Sequence, residues 1–231
     1  MKFFLITILS FNFFFSNSQN LDGGAYASSG LFAFGIFSKS TPSLNIKGSQ
    51  YFDEKFKSSY IKYYNKKIEQ EGYMRYNAFN DEIEISSTPF AETSETALLK
   101  EKDLVPVISG ESYIYLPHRL KDGRAIIGYL VEIFKGKRIV IFEKRSKTFM
   151  EEVKARTSLE GSFPPRYIDN IEFYISIGDN TPILIPKRKK EFLNLFTEKQ
   201  SFIAKFMKDN KLNIKNLESI IEIFKYSEQI N

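Results

Sequence analysis

The sequence GYMRYNAFNDEIEI, residues 72–85, contains two short runs of alternating apolar and polar side chains that meet at Asn80 and Asp81. Asn and Asp are among the few residues other than glycine that tolerate the positive φ of a tight hairpin turn. A two-residue loop at these positions places Ala78 opposite Ile83 and gives the strand pair one apolar and one polar face. The stretch therefore predicts a half-buried antiparallel hairpin.

The polar face of this hairpin is the first candidate ligand-binding surface. The predicted register places Asn77 opposite Glu84 and Arg75 opposite Ser86, and it points Arg75, Asn77 and Glu84 outward. The inward face consists of apolar or aromatic side chains, Met74, Tyr76, Ala78, Ile83 and Ile85. Asp81, Glu82 and Glu84 could instead begin a site for a hard cation such as Ca²⁺, but the glycine and distal Glu of a dedicated calcium loop are absent.

Further strand-like runs surround this hairpin. They lie near residues 60–64, 72–78, 82–86, 105–108, 112–116, 125–134, 138–144, 171–177 and 182–185. Gly136 predicts a three-residue turn in which it adopts the αL conformation, with Ile133 opposite Ile139 and Val131 opposite Ile141. That pair is apolar on both faces, which indicates a central strand pair covered on both sides.

The hydrophobic period changes to that of helices after Pro186. Three short helices are predicted, with apolar stripes at residues 192–196, 202–207 and 214–224, a capping box at residues 197–200 and an N-cap at Asn213. Because such helices cannot bury their stripes on each other alone, they should pack on the sheet. The predicted fold class is α+β, an antiparallel sheet or incomplete barrel followed by this helical segment.

The first residues have the layout of an export signal. Lys2 precedes FFLITILSFNFFF, which has the length of a signal-peptide apolar region, and small residues at Ser16 and Ser18 predict cleavage after Ser18. The expected organisation is therefore a signal peptide at residues 1–18, a flexible leader with one apolar segment, LFAFGIF, at residues 19–50 and a single domain at residues 51–231. A buried N-terminal strand or helix is the alternative for the signal. We expect a periplasmic or extracellular protein with no transmembrane segment after cleavage.

The composition narrows the function classes. The chain has no Cys, so no disulfide can form and a lipoprotein-type signal is excluded. The 33 basic and 28 acidic residues give a mild formal charge of +5 and are interspersed, whereas a nucleic-acid binder concentrates its basic charge on one face. The strongest local charge run is Lys187, Arg188, Lys189 and Lys190, which is either a solvated helix start or a docking patch for an anionic partner.

Residues for catalysis or metal binding are scarce. The single histidine, His118, follows Pro117 in what reads as a loop, and a general base there would need an orienting partner and a nucleophile. One His and no Cys cannot supply a conventional zinc site. Glu151, Glu152 and Asp169 could form an acid pair for glycoside hydrolysis, a reading that depends on the distance between their carboxyl groups. The sequence therefore identifies no catalytic residue, metal site or cofactor.

Several segments together carry a resemblance to known proteins. The signal peptide is followed by IKGSQYFDEKF (residues 46–56), RYNAFNDEIEI (75–85), PPRYIDNIEFYISIGDNTPILIPKRKKEFL (164–193) and KDNKLNIKNLESIIEIFKY (208–226). In this order the chain resembles a family of uncharacterised exported proteins of flavobacteria-like bacteria, over about residues 46–226. The resemblance implies an exported strand-then-helix architecture and implies no activity.

The sequence favours a non-enzymatic binding or interaction module of the cell envelope. Its expected partner is an envelope protein, a glycan or an anionic surface, bound through Arg75, Asn77 and Glu84 or through the run at residues 187–190. The alternative is a carboxylate-dependent hydrolase acting on envelope or extracellular polymer. An enzyme should have a pocket where carboxylates, or His118 and a partner, converge, and a binding module should have an open basic or aromatic surface.

Overall fold

The structure is a computed structural model that describes residues 35–37, 46–64, 66–67, 72–94, 96–155, 157 and 161–230. The predicted signal peptide lies outside these residues. Part of the predicted leader belongs to the folded domain, because Gly35–Phe37 forms a strand and Lys47 forms a β-bridge with Arg166. The apolar segment LFAFGIF thus contributes the first described strand.

Twelve strands are present in the described part of the chain: β1 (Gly35–Phe37), β2 (Lys57–Tyr63), β3 (Lys66–Lys67), β4 (Gly72–Asn77), β5 (Glu82–Ser86), β6 (Thr96–Leu98), β7 (Leu104–Ile108), β8 (Glu111–Arg119), β9 (Ala125–Lys135), β10 (Ile139–Met150), β11 (Arg166–Ile177) and β12 (Ile183–Leu184). All nine strand-like runs are confirmed. The sequence reasoning missed β3 and β6 and underestimated the length of β8, β10 and β11. A mostly antiparallel β structure with a C-terminal helical segment is therefore confirmed.

The strands form two linked groups. The first runs in the order β1-β6-β5-β4-β2-β7-β8 and is antiparallel throughout. In the second group, β8 pairs with both β9 and β12, so the neighbours β8-β9-β10-β11-β12 form a closed cycle. The closing contact is parallel and joins Ile183 of β12 to Arg119 of β8. Strand β8 therefore belongs to both groups.

The helical segment consists of α1 (Lys189–Leu193), a 3-10 stretch at Asn194–Lys199, α2 (Gln200–Asp209) and α3 (Leu217–Gln229). Only α2 and α3 exceed two turns, so the expectation of three comparable helices is only partly met. The predicted capping box is wrong, because Thr197 has φ 45° and the N-cap of α2 is Lys199. The N-cap of α3 is Asn216 instead of Asn213, and its side chain accepts a hydrogen bond from the Ser219 amide.

Three apolar clusters fill the protein. One lies under the first strand group and includes the five predicted inward residues of the hairpin, Met74, Tyr76, Ala78, Ile83 and Ile85. A second joins the helices to β10 and β11, where Ile141 and Ile175 pack against Phe192, Ile223 and Phe224. The third is formed by strands of the closed cycle, around Leu130, Phe142 and Tyr174. The helices therefore pack on the sheet, as the sequence predicts, although Phe202 of the predicted second stripe is 61% exposed.

The β4–β5 hairpin has the predicted faces but a different register. Arg75 lies opposite Glu84 and not opposite Ser86, because the loop comprises residues 78–81. The register is shifted by two residues, and an even shift leaves every side chain on its face. Asp81 adopts the left-handed conformation, with φ 56°.

The β9–β10 hairpin also departs from the predicted register. Ile141 lies opposite Phe134 and Glu143 lies opposite Val131, with an irregularity between these two pairs. Gly136 does not have the predicted positive φ; its role is steric, since a Cβ there would overlap the carboxylate of Glu228 on α3. The requirement for glycine in this turn comes from the packing of α3 against it. The residues of the turn alone could not predict that packing.

Candidate functional site

The predicted outward face of the hairpin is buried, which contradicts the sequence prediction. Arg75, Asn77 and Glu84 are at most 3% exposed. Tyr51, Phe56 and the backbone of Glu54 and Glu92 cover Arg75, which lies 3.6 and 4.2 Å from the centroids of the Tyr51 and Phe56 rings. Arg75 also lines a cavity of about 690 Å³ between residues 48–57 and 89–92. A charged face can be buried in this way only when its charges are paired.

The pairing of Arg75 is complete. Its Nε and one Nη2 hydrogen donate to Glu84 Oε2 at 2.9 and 2.7 Å, and Nη2 also donates to the Tyr51 hydroxyl at 2.7 Å. Nη1 donates to the carbonyl oxygens of Glu54 and Glu92 at 3.0 and 3.1 Å. A guanidinium has five N–H donors, and these contacts use all of them. Burial and the adjacent Glu84 carboxylate raise the pKa of Tyr51, which remains a neutral hydroxyl.

Asn77 also has an internal role. Its Nδ2 donates to Glu84 Oε1 at 3.3 Å, and its Oδ1 accepts the amides of Phe79 and Asn80 at the hairpin loop. Both carboxylate oxygens of Glu84 are therefore engaged. These three candidate residues form one closed structural network that organises the hairpin and its cover.

The second candidate, the basic run at residues 187–190, is exposed and lies beside another basic segment. The parallel contact of β12 with β8, fixed by the Arg119 amide donating to the Pro182 carbonyl at 2.8 Å, makes the chain after β12 run alongside the chain after β8. Lys187 and Arg188 consequently line one groove together with Arg119 and Lys121. We call this the basic groove; its volume is about 470 Å³.

The remaining lining of the basic groove is mainly aliphatic. Its apolar residues are Leu120, Ile183, Leu184, Ile185 and Pro186, and no aromatic ring is among its lining residues. Two carboxylates, Glu172 and Glu191, face the four cations, and only Arg188 pairs with one of them, with its Nη1 3.2 Å from Glu191 Oε1. Within the described residues no carboxylate forms an ion pair with Arg119, Lys121 or Lys187. The groove therefore has unneutralised positive charge above an apolar floor.

The structure separates the four residues of the predicted run. Lys187 and Arg188 line the basic groove, whereas Lys189 and Lys190 are exposed on α1 and do not line it. Arg119 and Lys121 were missed as candidates. Their signal is visible in LPHRLKDGR, but only the β8–β12 contact brings that segment to the basic run. Arg75, Asn77 and Glu84 do not contribute to this groove.

His118 lies in strand β8 and not in a loop, contrary to the sequence prediction, and it is fully buried. Its ring packs edge-on against Tyr174 with 4.9 Å between centroids, and its Nδ1 lies 3.3 Å from the Leu116 carbonyl oxygen. Its Nε2 has no hydrogen-bond partner in the described part of the chain. Burial lowers the pKa of His118, so the ring is neutral at pH 7. No nucleophile contacts it there, so the described contacts provide no general-base arrangement.

A second polar cluster joins the hairpin loop to the closed strand cycle. Asp81 Oδ1 accepts hydrogen bonds from the Tyr76 hydroxyl at 2.5 Å and from Lys144 Nζ at 2.6 Å. The Tyr129 amide donates to both Asp81 oxygens, at 3.3 and 3.2 Å. Burial and the Asp81 charge raise the pKa values of Tyr76 and Tyr129, so both hydroxyls stay protonated. The absent Cβ of Gly128 leaves room for Asp81.

The third buried charge cluster surrounds Arg145. Its guanidinium donates to Glu143, Glu111 and the Tyr113 hydroxyl, and it lies 4.3 Å from the centre of the Phe52 ring. Burial raises the pKa of Tyr113 to about 12. Arg145 is thus engaged internally by two carboxylates, as Arg75 is by Glu84.

The other chemical readings have little structural support. Among the described residues, no group of three His, Cys, Asp or Glu side chains is arranged to hold a metal ion. Glu151 and Glu152 are exposed, and Asp169 is paired with Lys147 across β10 and β11. No described helix combines the length and apolar character needed to cross a membrane.

Comparisons with protein families, curated proteins and solved structures give no match to this chain. The resemblance stated from the sequence therefore stays a prediction. The class that the fold supports is a mostly antiparallel β protein with a C-terminal helical segment, and the basic groove is the candidate site that retains exposed cations from the predicted basic run.

Proposed function

We propose that this chain is a non-enzymatic binding module of the cell envelope that holds an anionic ligand in the basic groove. The observation that carries the proposal is the convergence of four cations from two distant segments, Arg119 and Lys121 with Lys187 and Arg188, around one cleft. Low-dielectric walls strengthen the attraction of such a cleft for anions. Export, which the N-terminal residues predict, would put envelope polymers and lipids within its reach.

The alternative, a carboxylate-dependent hydrolase, has weaker support. The two most buried carboxylates are Glu84 and Glu143, and each is paired with an arginine. His118 is enclosed by protein. In the basic groove, Glu191 is paired with Arg188 and Glu172 accepts a weak hydrogen bond from Tyr174, at 3.4 Å.

The proposal is tested by removing the four groove cations. The variant Arg119→Gln, Lys121→Gln, Lys187→Gln, Arg188→Gln is compared with wild type for retention on two anionic materials, alginate and phosphatidylglycerol vesicles, at about 0.15 M salt, where exposed charges still act over about 8 Å. We expect wild type to be retained on at least one material and the variant to be lost from it.

A matched control separates the groove from general charge. Lys205, Lys208, Lys211 and Lys215 are exposed on or near α2, outside the groove, so their change to Gln removes the same charge elsewhere. The control should bind as wild type does. Equal binding by the groove variant and wild type, or no retention of wild type on either material, would contradict the proposal.

A further inference from the structure

We propose that the anion held by the basic groove is the phosphate of an anionic phospholipid in a bilayer surface. This inference rests on the proposed function and specifies its ligand class. The groove combines four cationic side chains, two carboxylates and an aliphatic lining, so it keeps an excess of positive charge next to apolar surface, which suits a phosphate head followed by hydrocarbon. Its volume of about 470 Å³ is in the range of pockets that enclose small ligands.

The charges are arranged for phosphate. Arg119 and Arg188 supply planar guanidinium groups that can donate two parallel hydrogen bonds to phosphate oxygens, and Lys121 and Lys187 supply compact point charges. Lys189 and Lys190 add exposed cations next to the groove in the sequence. Cations near an anionic leaflet each strengthen attachment by a similar increment, so a cluster of this size gives reversible surface binding.

Exposed aliphatic side chains accompany the cations. Ile183, in the groove, is 38% exposed, and Ile126 and Ile127 on β9 are 37% and 60% exposed. Ile127 lies opposite Pro117 in the β8–β9 pair and shares a strand face with Arg119, whereas Ile126 lies opposite the buried His118 on the other face. Aliphatic side chains beside cations are what an interfacial surface buries at the boundary between headgroups and acyl chains.

An acidic polysaccharide fits this surface less well. Among the described residues no aromatic ring lines the groove, so a sugar ring would find no flat face there to stack on. The exposed isoleucines would also gain nothing from a hydrated polymer, whereas contact with acyl chains removes apolar surface from water. A free phosphate ion would use the cations but leave the aliphatic floor uncovered.

The experiment is vesicle flotation of the exported form, residues 19–231, which remains after the predicted cleavage and lacks the apolar N-terminal run. Wild type is mixed with phosphatidylcholine vesicles that contain about one third phosphatidylglycerol, or with pure phosphatidylcholine vesicles. Flotation is expected only with the anionic vesicles and should fall as salt is raised. The variant Arg119→Gln, Lys187→Gln should reduce the partition coefficient about 25-fold, or about fivefold per cation, whereas Lys205→Gln, Lys208→Gln on α2 should leave it close to wild type.

A variant of the apolar part distinguishes a lipid from other anions. Ile127→Ser should weaken flotation several-fold and leave alginate retention unchanged. Retention on alginate, or binding of glycerol 1-phosphate in solution, without flotation would overturn the lipid assignment and leave the proposed function standing. Equal flotation of the groove variant and the α2 control would overturn it as well. Matching circular dichroism and thermal unfolding of all variants would establish that they are folded.

Discussion

Arg75 is the side chain on which the first strand group most depends. It sits between two rings, uses all five donors and is 3% exposed. A lysine keeps the charge but provides one point donor group and cannot reproduce the planar fork. We expect Arg75→Lys to lower the free energy of unfolding by about 2–4 kcal/mol, because Glu84 and two carbonyl oxygens lose their donors. Urea unfolding followed by circular dichroism measures this.

The matched control for Arg75 is the same substitution at an exposed ion pair. Arg124 pairs with Asp122 at 2.7 Å, and the two side chains are 73% and 52% exposed. Arg124→Lys should change stability by less than about 0.5 kcal/mol. Similar small effects at both positions would mean that the buried network contributes little.

His118 gives the protein a specific pH dependence. Burial makes its folded-state pKa lower than the unfolded value of about 6.5, so the unfolded chain binds more protons in this range. Its contribution to stability is therefore complete above about pH 6.5 and is lost as the pH falls from there toward the folded-state pKa, at up to about 1.4 kcal/mol per pH unit. Lys144, Asp81 and Glu172 are the charged groups that act on it.

The test compares wild type with His118→Gln, which cannot titrate. Because the chain has a single histidine, the difference between their stability curves isolates this side chain. Between about pH 5 and 6.5 the wild-type curve should fall more steeply. Parallel curves over this interval would show that His118 is accessible to protons in the folded state.

At the scale of elements, α3 is attached to the β9–β10 hairpin by one carboxylate. Glu228 accepts the backbone amides of Lys137, Arg138 and Ile139 at 2.7–3.1 Å, and Gly136 leaves space for it. Gly136→Ala should cost about 1–3 kcal/mol by overpacking, and Glu228→Ala about 1–2 kcal/mol by leaving the amides without their acceptor. In the Glu228→Ala background the glycine change should cost far less, a coupling of about 1–2 kcal/mol.

Gly161 is a control for the double-mutant cycle formed by Gly136→Ala and Glu228→Ala. A Cβ at Gly161 would meet only the Phe163 ring at 4.0 Å, which is ordinary contact. Gly161→Ala should therefore be neutral or slightly stabilising, with no coupling to Glu228. Additive effects of Gly136→Ala and Glu228→Ala would refute the steric account of this turn.

Element types could be predicted because they depend on local patterns. The nine strand runs and the faces of the β4–β5 hairpin follow from a period of two, which survives the two-residue shift in register. The errors occur where distant residues decide the outcome. The Gly136 turn depends on Glu228, and the burial of Arg75 depends on the cover supplied by Tyr51, Phe56 and the backbone of Glu54 and Glu92.

At the scale of the whole molecule, the candidate site depends on topology. The basic run at residues 187–190 is evident in the sequence, but its pairing with Arg119 and Lys121 requires β12 to lie parallel to β8. The β8–β12 contact involves a single residue pair of a two-residue strand. A strand this short has no alternating pattern from which the contact could be predicted. The charge run in the sequence thus indicates two of the four groove cations, Lys187 and Arg188. The other two join the groove only because β12 lies parallel to β8.

The two strand groups are joined by the loop of the opening hairpin. Ala78 accepts the Lys147 amide of β10, and Asp81 binds Lys144 and the Tyr129 amide. Asp81→Ala leaves Lys144, whose side chain is 11% exposed, without its ion-pair partner. We expect a loss of about 2–3 kcal/mol, with part of it recovered by adding Lys144→Met, because an unpaired buried charge costs more than an apolar replacement.

The contacts between the hairpin loop and the closed strand cycle are tested in two ways. Urea unfolding gives the free energy of unfolding, and amide hydrogen exchange is measured at Tyr129 and Lys147. Both amides should exchange faster in Asp81→Ala, because the loop and the closed strand cycle open together there. Asp122→Ala, at an exposed carboxylate that pairs only with Arg124, is the control and should leave both rates unchanged. Faster exchange confined to the hairpin, with Tyr129 and Lys147 protected as in wild type, would mean that Asp81 does not hold the two strand groups together.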